Sequence, residues 1–285
     1  MKRHSSVIPL LVLILGLSGP LAAWAQFRLP GRAGDIFRKG KDATEGLEVT
    51  TEQEIAMGRE VAAKMIAYYG VYENPKLAAY VRKVGEAAAM QADRQDLAYH
   101  FEILDVPVVN AFAAPGGFIF ITRGLLENIS SEAELAGVLA HEVAHVSARH
   151  IVKAFQRNKL MAAGLKEAGN FTPGSQYLDN LAKEMLLRLI DRGLEPADEN
   201  DADEKGVVYA YNAGYRPDGL RSFLELLEKV TAQSAEKTSW LSRTHPKTAD
   251  RIRRVDQVLA QRKLQSEGRA TLAERYQAAL KESAQ

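Results

Sequence analysis

The stretch AGVLAHEVAHVSARH, from Ala136 to His150, places two demands on any fold that contains it. Its frame Ala136-Gly137-Val138-Leu139-Ala140 is apolar, so a helix built on it belongs inside the protein. The same helix carries His141, Glu142 and His145, and buried polar side chains without partners are costly. His141 and His145 are four residues apart, about 40° round an α-helix, so both imidazoles project from one face and can reach one tetrahedral cation. Glu142 lies about 100° round from His141, where it can act on water at that cation without binding the cation itself. The helix is expected over 132–149, capped by Ser130 or Ser131, with Glu134 three residues after Ser131.

Three of the chain's six histidines fall in this stretch, but they do not share one task. His150 is nine residues from His141, about 180° round, and cannot join the site while the helix continues. It reads as a structural or surface histidine near the helix C-terminus, where the dipole favours a partly charged imidazole.

A catalytic zinc takes three protein ligands and keeps a fourth position open. The chain has no cysteine, so any metal is held by nitrogen and oxygen. Downstream, EPADENDADEKG is the densest run of carboxylates, and most of them read as the solvated, acidic start of a helix. Lys205 occupies an oxygen-ligand position, which argues against a calcium loop. Glu199 and Asp203 are four apart and share a helical face; one can bind the metal while the other accepts a hydrogen bond from a ligand imidazole. Spacing does not say which does which.

The rest of the chain frames this centre. A net charge of +1, without a basic stripe, gives no case for nucleic acid. Lys2 and Arg3, the apolar run from Val7 to Leu17 and the Ala23-Trp24-Ala25 pattern predict a cleaved signal peptide over 1–25, hence a periplasmic protein. No later apolar run approaches the length of a spanning helix, and without cysteine a lipoprotein anchor is excluded. Residues 26–50 read as a lead-in. A helix over Thr51–Tyr69 starts with a capping box of Thr51 and Glu54 and buries Ile55, Val61, Ala62, Met65 and Ile66. A second helix is expected over 75–92. Strands follow near 99–105, 108–113 and 117–122, the last two forming a hairpin through Pro115-Gly116-Gly117, with Phe112, Phe118 and Phe120 in the core. Beyond 125 the pattern is helical, including 201–212, 217–230, 247–262 and a C-terminal helix from 271. The fold class is therefore α+β, mostly helical, with a small sheet ahead of the histidine helix.

Four blocks, NAFAAPGGFIFITRGLL, HEVAH, ENDADEKG and RTHPKTADR, resemble the HtpX-like and CAAX-prenyl-protease-like zinc metallopeptidases, especially their soluble periplasmic branch. The resemblance spans residues 110–251 and implies a zincin-type, gluzincin-like metallopeptidase domain over 51–285 holding one zinc ion. It implies Glu199 as third ligand, Asp203 as the companion that braces an imidazole, and His245 and Arg251 as residues approaching the site from a later segment, His245 as oxyanion support or as a resting cap on the metal. The family often has Glu or Gln where Asp201 stands, a departure that touches no assigned role. Asn110, Ala111, Phe112 and Ala113 resemble an edge strand that aligns substrate, and an unpaired strand edge can indeed bind extended backbone. Some relatives carry helical repeats after the catalytic domain; only about 34 residues follow Arg251 here, so no such docking domain is expected.

The reading that follows is a zinc endopeptidase acting on unfolded or misassembled exported proteins, periplasmic or outer-membrane. Glu142 serves as general base, and the segment between His150 and Glu199 is a candidate lid. The alternative is a latent protease working mainly as a chaperone for outer-membrane proteins. Hydrolysis of a non-peptide amide fits the edge-strand block and the Glu ligand less well.

Overall fold

The computed structural model describes residues 49–156, 175–191, 193–233 and 248–283. The expected signal peptide over 1–25, nearly all of the lead-in, much of the candidate lid, and His245 lie outside the described residues.

Helix α1 (Thr51–Tyr69) is capped one residue earlier than expected. The Thr50 hydroxyl accepts from the Gln53 N–H at 3.3 Å, and the Gln53 side chain accepts from the Thr50 N–H at 3.0 Å. Glu54, expected in the box, is buried instead, because Arg94 claims both its oxygens at 3.1 and 3.0 Å. The buried face of α1 is Met57, Gly58, Val61, Ala62 and Met65, whereas Ile55 and Ile66 are only partly covered. Helix α2 (Pro75–Ala89) starts with proline in its first turn, and the Asn74 side chain accepts from the Leu77 N–H at 3.1 Å.

Three strands follow: β1 (His100–Leu104), β2 (Ala111–Ala114) and β3 (Phe118–Thr122), in the order β1-β3-β2. β2 and β3 form the expected antiparallel hairpin, with Phe112 opposite Phe120, closed by a 3₁₀ turn over Pro115–Gly117. α1 lies so close to this turn that a Cβ on Gly58 would stand 1.8 Å from the Pro115 carbonyl oxygen. β1 joins the other side of β3 in parallel. That leaves β2 at the sheet edge, and Phe112, Phe118 and Phe120 in the core.

The helical part comprises α3 (Arg123–Asn128), α4 (Glu132–Ser147), α5 (His150–Gln156), α6 (Gln176–Asp191), α7 (Pro196–Asn212), α8 (Gly219–Gln233), α9 (Thr248–Gln261) and α10 (Ala273–Ser283). α4 is the central helix among the described residues. It packs against β2, β3, α2, α7, α8 and α10, and every one of its residues except Glu134 is buried. The apolar frame around the histidines is thereby satisfied on all sides.

The C-terminal helix is fastened to the start of α4. Glu132 is buried and accepts from the hydroxyls of Tyr80 at 2.6 Å and Tyr215 at 2.9 Å, and it is paired with Arg275 of α10. Tyr276 is fully buried and donates to the Leu126 carbonyl at 2.5 Å. Burial alone would lift the Glu132 carboxyl, but Arg275 and the two hydroxyls outweigh it and hold it below its usual range. Among the described residues no helix is long and apolar enough to cross a membrane.

Candidate metal centre

Two helices supply the centre. α4 starts as the sequence predicts: the Ser131 hydroxyl accepts from the Glu134 N–H at 3.2 Å, while the Glu134 carboxylate accepts from the Ser130 N–H and hydroxyl at 2.7 and 2.8 Å. α7 starts at Pro196, five residues before the expected 201, because proline suits the first helical position. Glu199 therefore sits in the first turn of α7 and Asp203 one turn later on the same face. Three residues on, Gly206 lets α7 meet α4 backbone to backbone.

The result is convergence. The Nε2 atoms of His141 and His145 are 2.9 Å apart. Glu199 places Oε2 3.7 Å from the first and Oε1 3.5 Å from the second. His141, His145 and Glu199 are all buried and can hold a metal ion, their donor atoms lying within 4.8 Å of one another. Two imidazole nitrogens that face each other this closely repel through their lone pairs unless a cation or proton stands between them. Two nitrogens and one carboxylate oxygen are also the donor set of an open tetrahedral site, so the residues fit a divalent transition ion.

Asp203 and Arg251 brace the donors. The Nδ1 of His141 lies 2.9 Å from Asp203 Oδ1, an arrangement that would leave its Nε2 to a metal ion. Arg251, from α9, donates Nε and Nη2 to the two oxygens of Asp203 at 2.8 and 2.7 Å and sets Nη1 3.3 Å from Glu199 Oε2. Burial would raise the Asp203 carboxyl, but Arg251 and His141 hold it below its usual range. Burial likewise works against the Arg251 charge, yet Asp203, Glu199 and Glu142 raise its pKa beyond the ordinary value.

His150 departs from the sequence expectation. α4 ends at Ser147 rather than 149, Arg149 adopts φ 59°, and α5 begins at His150. With the helix broken, His150 turns back inward and is buried, its Nδ1 3.0 Å from His145 Nδ1 and its Nε2 3.1 Å from Asp201 Oδ2. Burial pushes its pKa down, against the pull of Asp198 and Asp201. Glu54 holds the break in place, its Oε2 3.0 Å from Arg149 Nε. Neither Glu54 nor Asp201 has a role legible in the spacing of the motif.

A cavity opens beside His141 and Glu142. Asn110, Ala111, Val138 and Arg251 line it, and Leu220, Phe223 and Leu227 form an apolar wall. The edge strand thus reaches the cavity through Ala111 and through Asn110 just before it; Phe112 is stacked on Tyr69 at 6.4 Å and Ala113 is buried. Asn110 is itself buried. Its Oδ1 accepts from the Ala111 N–H at 2.9 Å, while its Nδ2 has no hydrogen-bond partner among the described residues.

The model of peptidase family M48 matches residues 75–259, which include α4 and α7. The chain is 26% identical over 253 residues to a beta-barrel assembly-enhancing protease of Yersinia pestis, covering 86% of this chain and 52% of that protein. It is 28% identical over 230 residues to the mitochondrial metalloendopeptidase OMA1 of Schizosaccharomyces pombe, covering 77% and 65%. It is 28% identical over 152 residues to the metalloprotease LoiP of Escherichia coli, covering 52% and 57%. The chain therefore spans between half and two thirds of these curated relatives.

Proposed function

The chain belongs to peptidase family M48, and we propose that it is a zinc endopeptidase that cleaves unfolded or misassembled polypeptides in the periplasm, outer-membrane proteins among them. The observation that carries this reading is the convergence of His141, His145 and Glu199 beside a cavity that also contains Glu142. The names of the bacterial relatives support the substrate class, and the signal-peptide pattern over 1–25 supports the compartment.

His141, His145 and Glu199 would hold the zinc, which when bound supplies Lewis acidity to the scissile carbonyl and acidifies a water. Glu142 would do the proton work. It takes the proton as the water oxygen bonds to the carbonyl carbon, then delivers it to the amide nitrogen as the C–N bond breaks. Asp203 keeps His141 in the required tautomer, and Arg251 fixes Asp203 and Glu199. In this reading His245 and Arg251 add support for the developing oxyanion.

Substrate would lie in extended form along the edge of β2 that no described strand pairs, bound through main-chain hydrogen bonds that ignore most of its sequence. The buried Asn110 Nδ2 supports that placement, because an unsatisfied donor beside a catalytic cavity gains a partner when a peptide carbonyl enters. The apolar wall of Leu220, Phe223 and Leu227 offers hydrophobic contact beside that path.

The test pairs metal analysis with proteolysis. The purified chain should contain about one zinc, lose cleavage of an unfolded protein on chelation and regain it with zinc. Glu142→Gln should keep the zinc and lose roughly 10²- to 10⁴-fold in turnover. Persisting turnover in that variant would remove Glu142 as the base; a wild-type chain that binds no metal would remove the reading.

A further inference from the structure

We infer that His150 is a positioning residue for the metal ligand His145, and that Asp201 in turn sets the tautomer of His150. The inference rests on the proposed zinc site.

Hydrogen bonding fixes the arrangement. For His145 to offer Nε2 to a cation, its proton must sit on Nδ1. That Nδ1 lies 3.0 Å from His150 Nδ1, so His150 must accept there and carry its own proton on Nε2. Its Nε2 lies 3.1 Å from Asp201 Oδ2, a carboxylate suited to receive that proton's hydrogen bond. The chain of donors therefore runs from His145 to His150 to Asp201, each bond selecting the tautomer the next requires. Reversing it would place the His145 proton on Nε2 and remove a ligand. His141 is braced directly by a carboxylate, whereas His145 is braced through an intervening imidazole.

The backbone is shaped for this contact. In a continuous helix His150 would stand about 140° round from His145 and could not reach its ring. The left-handed Arg149 returns the chain instead, a conformation uncommon for a residue with a side chain. Arg149 is secured by Glu54 and by the Val49 carbonyl. Asp201 comes from α7, which also carries Glu199 and Asp203, so one helix supplies a ligand and the outer partners of both histidines.

The experiment measures zinc affinity by competition with a chromophoric chelator, together with the visible spectrum of the cobalt-loaded protein. It compares the full chain with its His150→Phe, His150→Asn and Asp201→Ala forms. His150→Phe fills the space without an acceptor and should bind zinc about 10- to 100-fold more weakly, with an altered cobalt spectrum. His150→Asn can still accept from His145 Nδ1 and should recover most of the affinity. Asp201→Ala, at a partly exposed position, should weaken binding in the same direction by a smaller factor and decides the matter if His150→Phe does not fold. Wild-type affinity and spectrum in His150→Phe, or in Asp201→Ala where it is the deciding variant, would overturn the inference while leaving the zinc site standing. A wild-type chain that binds no zinc would overturn both.

Discussion

Gly206 of α7 lies directly against His141 of α4: a Cβ added to Gly206 would stand 2.9 Å from both the Cα and the backbone nitrogen of His141. The contact falls two turns after Glu199 and one after Asp203, on the face that carries both carboxylates to the histidines. Gly206→Ala would gain about 1 kcal/mol in helix propensity, but it forces two backbones apart, and overpacking of this kind costs about 1–3 kcal/mol. The expected net result is a lower melting temperature and weaker zinc binding, read by thermal unfolding and metal competition. A more stable variant with unchanged zinc affinity would show that the helices have slack.

Arg251 neutralises Asp203 and stands close to Glu199, all three being buried. Arg251→Met removes the cation from two buried carboxylates, and breaking such a cluster costs about 3–5 kcal/mol. Denaturant titration of the metal-free protein should show that loss. Arg251→Lys should recover only part of it, since an ammonium cannot reproduce the two-pronged bond to Asp203. Equal stability of Arg251→Met and wild type would mean that the carboxylates take up protons instead.

Asn110→Asp keeps the oxygen that accepts from the Ala111 N–H and replaces the unpartnered Nδ2 donor. With unchanged zinc content, kcat/KM on an unfolded polypeptide should fall about 10- to 100-fold, the loss of one or two hydrogen bonds' worth of transition-state binding. An undiminished kcat/KM would mean that Nδ2 does not touch substrate.

Glu132 links acid stability to the docking of α10. Its carboxyl is held below the usual range, so its stabilisation is complete above the unfolded-state value near 4.5 and is lost as pH falls through the lower folded value. Glu132→Gln should cost about 2 kcal/mol near neutral pH and leave a shallower decline of stability in acid. Denaturant titrations across the acid range check both, and parallel curves for the two proteins would contradict the assignment.

The parts of this site that could be read in the sequence are those governed by helical periodicity. His141, Glu142 and His145 fall on one short helical face, and Glu199 and Asp203 share another, so spacing alone groups them. What spacing could not supply was set by distant residues. The box expected at Thr51 and Glu54 moves to Thr50 and Gln53 because Arg94, far along the chain, captures Glu54. The break that turns His150 inward is not legible because a left-handed arginine has no compositional signature, unlike a glycine in the same conformation. The parallel pairing of β1 with β3 likewise depends on contacts that local pattern does not encode.

Two of the three proposed metal donors arrive on α4 and the third on α7, so an ion that bridges them would act as a rivet between two helices far apart in the sequence. Any looseness in how α7 seats on α4 must then reduce the occupancy of the site, and free zinc must tighten the seating by mass action. At a free zinc concentration 100 times its dissociation constant, that coupling amounts to about 2.7 kcal/mol. If the proposed reading holds, zinc supply would govern how long the protein survives as well as whether it cuts.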